Sequence, residues 1–203
     1  MSARPAILES MITATPRLML TPLSLDDLDD VFSVYGDTGT WFHLPSGRHQ
    51  SPEASQRFIE RQIESWQTAG LGHWAVRLHR SGSPGSTEAQ FVGTAGMTMT
   101  PAGVWNLGYR LAPAAWGQGY ATELAETAMQ AARDLAPQTP VTGRVLSINP
   151  ASSRVLERVG LDLLWEGEPG PGVVVLSDPP TLRRIYADRP LAAKAWAWLL
   201  ENA

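Results

Sequence analysis

The chain lacks cysteine altogether and has only four histidines in its 203 residues. The first absence excludes disulfides, thiolate catalysis and zinc sites that depend on cysteine. The histidines lie at 43, 49, 73 and 79, and no two of them flank an acid at the helical spacing that metal sites use. We therefore expect no metal cofactor.

Long apolar runs and basic runs are missing as well. No segment approaches the roughly 18 apolar residues that a membrane span needs, and no cluster of lysine and arginine has the form of a nucleic-acid site. The N-terminus has no secretory pattern, and the formal net charge is −4. We expect a cytoplasmic protein, monomeric or homodimeric, with no membrane or nucleic-acid partner.

What remains is the composition of an ordinary globular protein, with 43% hydrophobic and 18% charged residues. This length suits one domain over residues 1–203, with a core at about 15–189, an N-terminal leader and a C-terminal helix.

Hydrophobic periodicity predicts the order of helices and strands. Three alternating segments on short turns indicate an antiparallel meander, at 74–78, 91–99 and 105–111. Before them we predict a strand at 17–20, a helix from Ser24 and a helix from Pro52 to Gly70. After them we predict helices at 121–135, 149–160 and 190–200 and strands at 141–148 and 161–165, with either 173–176 or 183–187 as the last strand. The pattern is an α/β (α+β) fold, with a mixed, mostly antiparallel sheet and helices on both faces.

The turn from Trp116 to Thr122 joins the third meander strand to the helix that follows. Free N–H groups and the helix dipole at a helix start favour an anion, and Gly117 and Gly119 remove side chains where a phosphate would approach. The glycines are equally consistent with a corner that needs them only for its backbone angles. The full dinucleotide fingerprint is absent, because no third glycine follows at the required spacing.

Three segments in order resemble the GNAT N-acetyltransferase superfamily, in the wording of its RimJ/RimL-like branch. They are residues 108–123, with the sequence GYRLAPAAWGQGYATE, residues 15–20, and the NPASSRVLERVGL segment at 149–161. Trp116 stands where most of the superfamily has Gln or Arg, and an aromatic residue there is common in this branch. The resemblance implies direct acetyl transfer from acetyl-CoA to an amine, without a covalent enzyme intermediate.

The resemblance also implies where acetyl-CoA binds. Its pyrophosphate would sit on the turn at 117–122 and its pantetheine arm along the strand that ends at Leu111. The implied cofactor-binding residues are Tyr109, Arg110, Leu111, Gly117, Gln118, Gly119, Tyr120, Ala121, Thr122, Asn149, Ser152 and Arg154. Asn149 is in addition the expected N-cap before Pro150, and Arg154 is equally consistent with a solvated helix face.

The proton path is the least defined part of the prediction. Many superfamily members place a tyrosine that protonates the leaving thiolate at the position of Leu156. Ser152 is the alternative donor, and Glu168 is the proposed general base, with Glu166 or a water chain as rivals. The alternative function is a non-catalytic acyl-CoA-binding or sensing domain that keeps the turn without transfer.

The loop after the first helix is the expected wall of the acceptor pocket, with Trp41, Phe42 and His43 as the candidate residues. Trp66 is expected to pack in the core rather than in this pocket. The acceptor is either a protein N-terminal amine, as in the branch resembled, or a small amine. The acidic net charge favours a basic acceptor only weakly, because it says little about one pocket.

Overall fold

The computed structural model describes residues 12–41, 45–79, 89–170 and 181–203. Its centre is an eight-stranded sheet in the order β1-β2-β3-β4-β5-β6-β8-β7. The strands are β1 (Thr13–Ala14), β2 (Leu18–Pro22), β3 (His73–Leu78), β4 (Phe91–Met99), β5 (Trp105–Leu111), β6 (Val141–Leu146), β7 (Asp162–Gly167) and β8 (Arg183–Ala187).

Neighbouring strands are antiparallel everywhere except between β5 and β6. The predicted meander is the β3-β4-β5 unit, and its last two strands have the bounds expected from the sequence. The prediction of a mixed, mostly antiparallel sheet is therefore confirmed.

Helices cover both faces of the sheet, as predicted. They are α1 (Leu28–Gly36), the single turn α2 (Thr38–Trp41), α3 (Pro52–Ala69), α4 (Tyr120–Leu135), α5 (Pro150–Arg158) and α6 (Ala193–Glu201). Short 3₁₀ turns precede α1 and follow α2. Among the described residues, no helix combines the length and the apolar character that a bilayer crossing demands.

Alternation along the strands divides the core between the two faces. Leu124 and Met129 of α4 and Leu156 of α5 pack with Trp105 and Leu107 of β5 on one face. On the other face, Val31, Val34 and Tyr35 of α1 and Ile59 of α3 pack with Ala75. A third cluster joins Ile185 of β8 to Leu199 of α6, which places α6 on the same face as α1 and α3.

The helix boundaries follow the local signals that predicted them. Pro52 opens α3, and Gly70 ends it with a positive φ of 78°. Asp27 accepts a hydrogen bond at 2.8 Å from the backbone N–H of Ser24, which closes the start of the first helix.

The structure also resolves or corrects several predicted boundaries. The loop predicted after the first helix contains α2 and a 3₁₀ turn. Of the two candidates for the last strand, 183–187 is β8, whereas 173–176 lies outside the described residues, as does most of the predicted leader.

Candidate active site

The parallel strands β5 and β6 separate soon after they begin. They pair only at Trp105 with Val141 and at Asn106 with Thr142. The N–H of Trp105 donates to the carbonyl of Pro140, towards β6, whereas the N–H of Ala112 donates to Val92, towards β4. Because backbone direction alternates along a strand, the N–H groups of Tyr109 and Leu111 point into the opening.

The opening between β5 and β6 is part of a cleft of about 730 Å³. Ten of the twelve predicted cofactor-binding residues line it: Tyr109, Arg110, Leu111, Gly117, Gly119, Tyr120, Ala121, Thr122, Asn149 and Ser152. Tertiary structure therefore brings together two segments, 108–123 and 149–161, that the sequence analysis had grouped only by their resemblance.

The turn before α4 forms one wall of the cleft. Gly117 and Gly119 have φ angles of 74° and 79°, which L side chains rarely adopt. A Cβ at Gly117 would meet nothing within 4 Å, and one at Gly119 would meet only the guanidinium of Arg17, at 3.4 Å. The backbone therefore needs glycine at both positions, and the space beside them is open to a ligand.

Arg17 fixes this turn from the start of β2. Its Nη1 donates to the carbonyl of Gln118 at 2.6 Å, and its guanidinium forms a salt bridge of 2.6 Å with Glu123. Burial raises the pKa of Glu123, but hydrogen bonds from Thr15 and Arg17 outweigh it and hold the pKa below its usual value. Glu123 therefore acts in the structure as an ionised anchor for Arg17.

The start of α5 forms the opposite wall. The side chain of Asn149 accepts a hydrogen bond from the N–H of Ser152 at 3.1 Å, so Asn149 is the predicted N-cap. The hydroxyl of Tyr109 donates to the carbonyl of Ser152 at 3.2 Å, and burial raises the pKa of this phenol to about 12. Two hydroxyl groups, those of Tyr109 and Ser152, thus occupy one region of the cleft.

Several predicted site residues do not line the cleft. Gln118 is exposed and contributes its carbonyl to Arg17, and Arg154 lines a separate depression together with Thr122. Glu168 is exposed at the end of β7, and its rival Glu166 pairs with Arg184. Trp41 donates its indole N–H to the carbonyl of Gly36 at 3.0 Å. Phe42 and His43 lie outside the described residues.

His73 is a cleft residue that sequence reasoning had assigned no role. It is 6% exposed, its Nδ1 lies 3.3 Å from Oγ1 of Thr94, and its Nε2 lies over Gly108, 3.1 Å from where a Cβ would be. Burial lowers the pKa of His73 to about 4, so the imidazole is neutral at pH 7. In the sequence, His73 lies just before the predicted strand at 74–78, with no signal that it would be buried over Gly108.

Trp66 packs in the core, as expected. It is 4% exposed, and its indole N–H donates to the carbonyl of His73 at 3.0 Å. Its ring meets Trp74 edge to face with the centroids 5.6 Å apart. Trp66 thus supports the segment that carries His73 without lining the cleft.

Three arginines line the cleft on the face covered by α1, α3 and α6. Arg110 lies over the ring of Tyr35 and donates to the carbonyl of Gly47 at 2.7 Å. Arg144 donates to the carbonyl of Asn202 at 2.6 Å. Burial, followed by repulsion from Arg144, lowers the pKa of Arg183 to about 10. None of the described residues that line the cleft is an aspartate or a glutamate.

Comparisons with known proteins agree with this geometry. The profile of the acetyltransferase (GNAT) domain family matches residues 17–162. A GNAT-family acetyltransferase from Bacillus anthracis superposes with a TM-score of 0.68 at 17% identity, over 87% of this chain and 97% of that one.

Two further solved structures share the fold. The ribosomal L7/L12 alpha-N-protein acetyltransferase RimL, in complex with coenzyme A, superposes with a TM-score of 0.68 at 15% identity, over 87% of this chain and 96% of that one. Spermidine N-acetyltransferase from Vibrio cholerae, in complex with CoA and spermine, gives a TM-score of 0.64 at 16% identity, over 90% and 99% of the two chains.

The family profile spans most of the chain and includes both walls of the cleft. The chain therefore belongs to the GNAT acetyltransferase family, whose members transfer an acetyl group from acetyl-CoA to an amine.

Proposed function

We propose that this protein transfers an acetyl group from acetyl-CoA to a primary amine by direct attack in a ternary complex. The observation that carries the proposal is the opening between β5 and β6, which has a glycine turn and a helix start at its rim. The acceptor is a protein N-terminal amine or a small amine, and the chain as a whole acts as one acetyltransferase domain of the RimJ/RimL-like branch.

The turn and the strand edge would bind acetyl-CoA at successive points. The N–H groups at the start of α4 and the open space at Gly117 suit the pyrophosphate. The N–H groups of Tyr109 and Leu111 suit the carbonyl groups of the pantetheine arm and of the thioester. Arg154 and Thr122, which share the depression beside the turn, suit a further phosphate.

Transfer requires that the amine nitrogen form a bond to the thioester carbon while the carbon–sulfur bond breaks. One proton leaves the nitrogen, and one reaches the sulfur. The phenol of Tyr109 is protonated at neutral pH because its pKa is about 12. Its O–H would turn from the Ser152 carbonyl to donate to the sulfur. Tyr109 thus supplies from β5 the hydroxyl that many superfamily members supply from a tyrosine at the position of Leu156. Ser152 lies beside it.

His73 is our candidate for the proton acceptor. Its Nδ1 is hydrogen-bonded to Thr94, so Nε2 is the ring nitrogen available to the cleft. A neutral imidazole accepts a proton once bond formation has made the amine nitrogen acidic. The sequence-based choice, Glu168, stays a prediction that no contact among the described residues supports.

Membership of the RimJ/RimL-like branch rests on the corner before α4. Trp116 is 48% exposed and lines the cleft, and its indole N–H donates to the carbonyl of Leu111 at 2.8 Å. This bond joins the end of β5 to the turn. It gives the aromatic residue of the branch a structural role in this chain.

The test combines CoA titration calorimetry with thiol release from acetyl-CoA in the presence of a broad amine panel. Gly119→Val should weaken CoA binding at least tenfold, because valine rarely adopts the positive φ that this turn requires. Gly103→Val is the matched control, since Gly103 has a similar φ of 75° but lies in the β4–β5 turn. Equal CoA affinity in the two folded variants would overturn the pyrophosphate assignment. Tight CoA binding without thiol release for any amine would favour the non-catalytic sensor.

A further inference from the structure

On the face covered by α1, α3 and α6, the cleft has positive charge with no carboxylate counter-ion among the described residues. Arg110, Arg144 and Arg183 line the cleft, and among the described residues none of the three forms an ion pair with a carboxylate. Burying cations without anions is costly, and a protein retains such an arrangement more readily when a ligand supplies the missing charge.

The three arginines differ in how far the protein satisfies them. Arg110 has the Gly47 carbonyl and the face of the Tyr35 ring, with its guanidinium carbon 4.3 Å from the ring centroid. Arg144 donates to the Asn202 carbonyl at 2.6 Å and to Oδ1 of Asn106 at 3.4 Å, and it lies 5.6 Å from the centroid of the Trp198 ring.

Arg183 is the least satisfied of the three. Its Nε is buried and has no hydrogen-bond partner, and no hydrogen bond of its guanidinium occurs within the described ranges. A half-buried guanidinium with free donors is a ready site for an oxyanion, which it can bind through two parallel N–H groups.

These arginines lie on the face of the sheet away from the phosphate turn. On β6, Gly143 lies against Leu156 of α5, so Arg144, one residue on, points to the opposite face. Arg183 pairs with Leu146 and therefore shares the face of Arg144. The turn at 117–122 leads into α4, which packs on the α5 side. The phosphates of acetyl-CoA at the turn would thus not neutralise Arg144 and Arg183.

We infer that the acceptor is an amine that carries a carboxylate, which binds between Arg144 and Arg183. This inference rests on the proposed function and narrows its acceptor. The shared chemistry has two sources: the acid group of a small amino compound, and an acidic side chain next to a peptide N-terminus. The inference disfavours polyamines as acceptors, because the three arginines would repel their positive charge.

The test measures thiol release from acetyl-CoA with matched acceptors. Amino acids are compared with their amides, an Asp-Ala peptide amide with its Asn-Ala counterpart, and spermidine serves as the cationic probe. We expect kcat/KM to be at least about tenfold higher for the acidic member of one pair. A preference in the first pair identifies a small amino acid, and a preference in the second pair identifies an acidic N-terminus.

Arg183→Gln should lower kcat/KM for the preferred acid at least about tenfold and leave its amide unaffected. Because Arg183 makes no hydrogen bond with the described residues, this variant should fold. Arg133→Gln, an exposed change on α4, is the matched control and should behave as the parent.

The outcomes separate the two levels of the proposal. Equal rates for acid and amide in both pairs, or spermidine as the preferred acceptor, would overturn this inference and leave acetyl transfer standing. CoA binding without thiol release for any amine in the panel would overturn the proposed function, and this inference with it.

Discussion

Arg17 and Glu123, which are 106 residues apart in sequence, form a salt bridge of 2.6 Å that joins the start of β2 to the first turn of α4. Arg17 also donates to the carbonyl of Gln118 and lies over the ring of Tyr120. The glycine turn, which follows β5, is therefore held by a residue at the start of β2, three positions away in the sheet. The conformation of the turn therefore depends on this long-range contact as well as on its two glycines.

Arg17→Gln should weaken CoA binding about three- to fivefold, as measured by titration calorimetry. The change removes the bond to the Gln118 carbonyl and leaves the Glu123 carboxylate unpaired beside the turn. The effect is modest because the Arg17 side chain is 47% exposed, and exposed pairs contribute about 1 kcal/mol or less.

The double variant Arg17→Gln, Glu123→Gln separates two effects on CoA affinity: the loss of the contact that holds the turn, and the charge of the unpaired Glu123 carboxylate. Removing the unpaired carboxylate should restore part of the CoA affinity, because an anion near the turn repels phosphate. Glu126→Gln, an exposed change on α4, is the matched control. Parent-like CoA affinity in the single Arg17 variant would contradict the anchoring role.

His73→Gln should lower kcat about a hundredfold or more and leave the Kd of CoA unchanged, because removal of a general base affects only the transfer step. In the parent, kcat/KM divided by the unprotonated fraction of the acceptor should stay flat from about pH 8 down to about pH 5.5. It should fall only as pH approaches about 4, where His73 takes up a proton. A break near pH 6.5 that disappears in the variant would show that His73 titrates normally.

Acid should destabilise the fold over a defined pH range. Burial lowers the pKa of His73 to about 4, and burial together with Arg110 and two further arginines does the same for His49. Between about pH 6.5 and 4 the unfolded chain binds protons that the folded chain does not, so the free energy of unfolding falls as pH falls. Above about pH 6.5 these two groups add no pH dependence.

The magnitude is about 3 kcal/mol at most for His73 across this range, and smaller for the more exposed His49. Urea unfolding at pH 7, 5.5 and 4.5 measures it. His49→Asn should reduce the slope of stability against pH, and His73→Asn should reduce it further. An unchanged slope in both variants would assign the acid sensitivity to other groups.

Tyr109→Phe should lower kcat about ten- to a hundredfold, because the variant loses the proton donor for the leaving sulfur. CoA affinity should change little, since the ring remains. Tyr186→Phe is the matched control: its hydroxyl donates to Glu157 at 3.1 Å and its side chain is 1% exposed in the core, away from the lining of the cleft. A loss of kcat that is equal in the two variants would point to general loosening of the fold.

Local chemistry made much of the fold predictable. Pro52 and Gly70 define the ends of α3, and Asn149 before Pro150 defines the start of α5, because caps and proline act within one turn of the chain. The alternation at 91–99 and 105–111 gave strands β4 and β5. The loop after α1 was less predictable because the signals for single helical turns are weak.

The site was predictable only where one segment carries it. The turn at Trp116–Thr122 was visible because its glycines and the helix behind it are contiguous in sequence. His73, Arg144 and Arg183 went unassigned, since each looks like an ordinary strand residue. Net charge was also a poor guide to the acceptor. The chain carries a charge of −4, whereas its cleft is lined by three arginines and, among the described lining residues, by no carboxylate.

The sequence by itself determined the order of helices and strands, the glycine turn and the family, because these depend on periodicity and on contiguous residues. Only the tertiary structure decided that β5 and β6 diverge, that Arg17 holds the turn, and that His73 and two arginines meet in the cleft. These features depend on contacts between residues that are far apart in the chain. The free energy of such contacts appears only when the sheet brings the strands together.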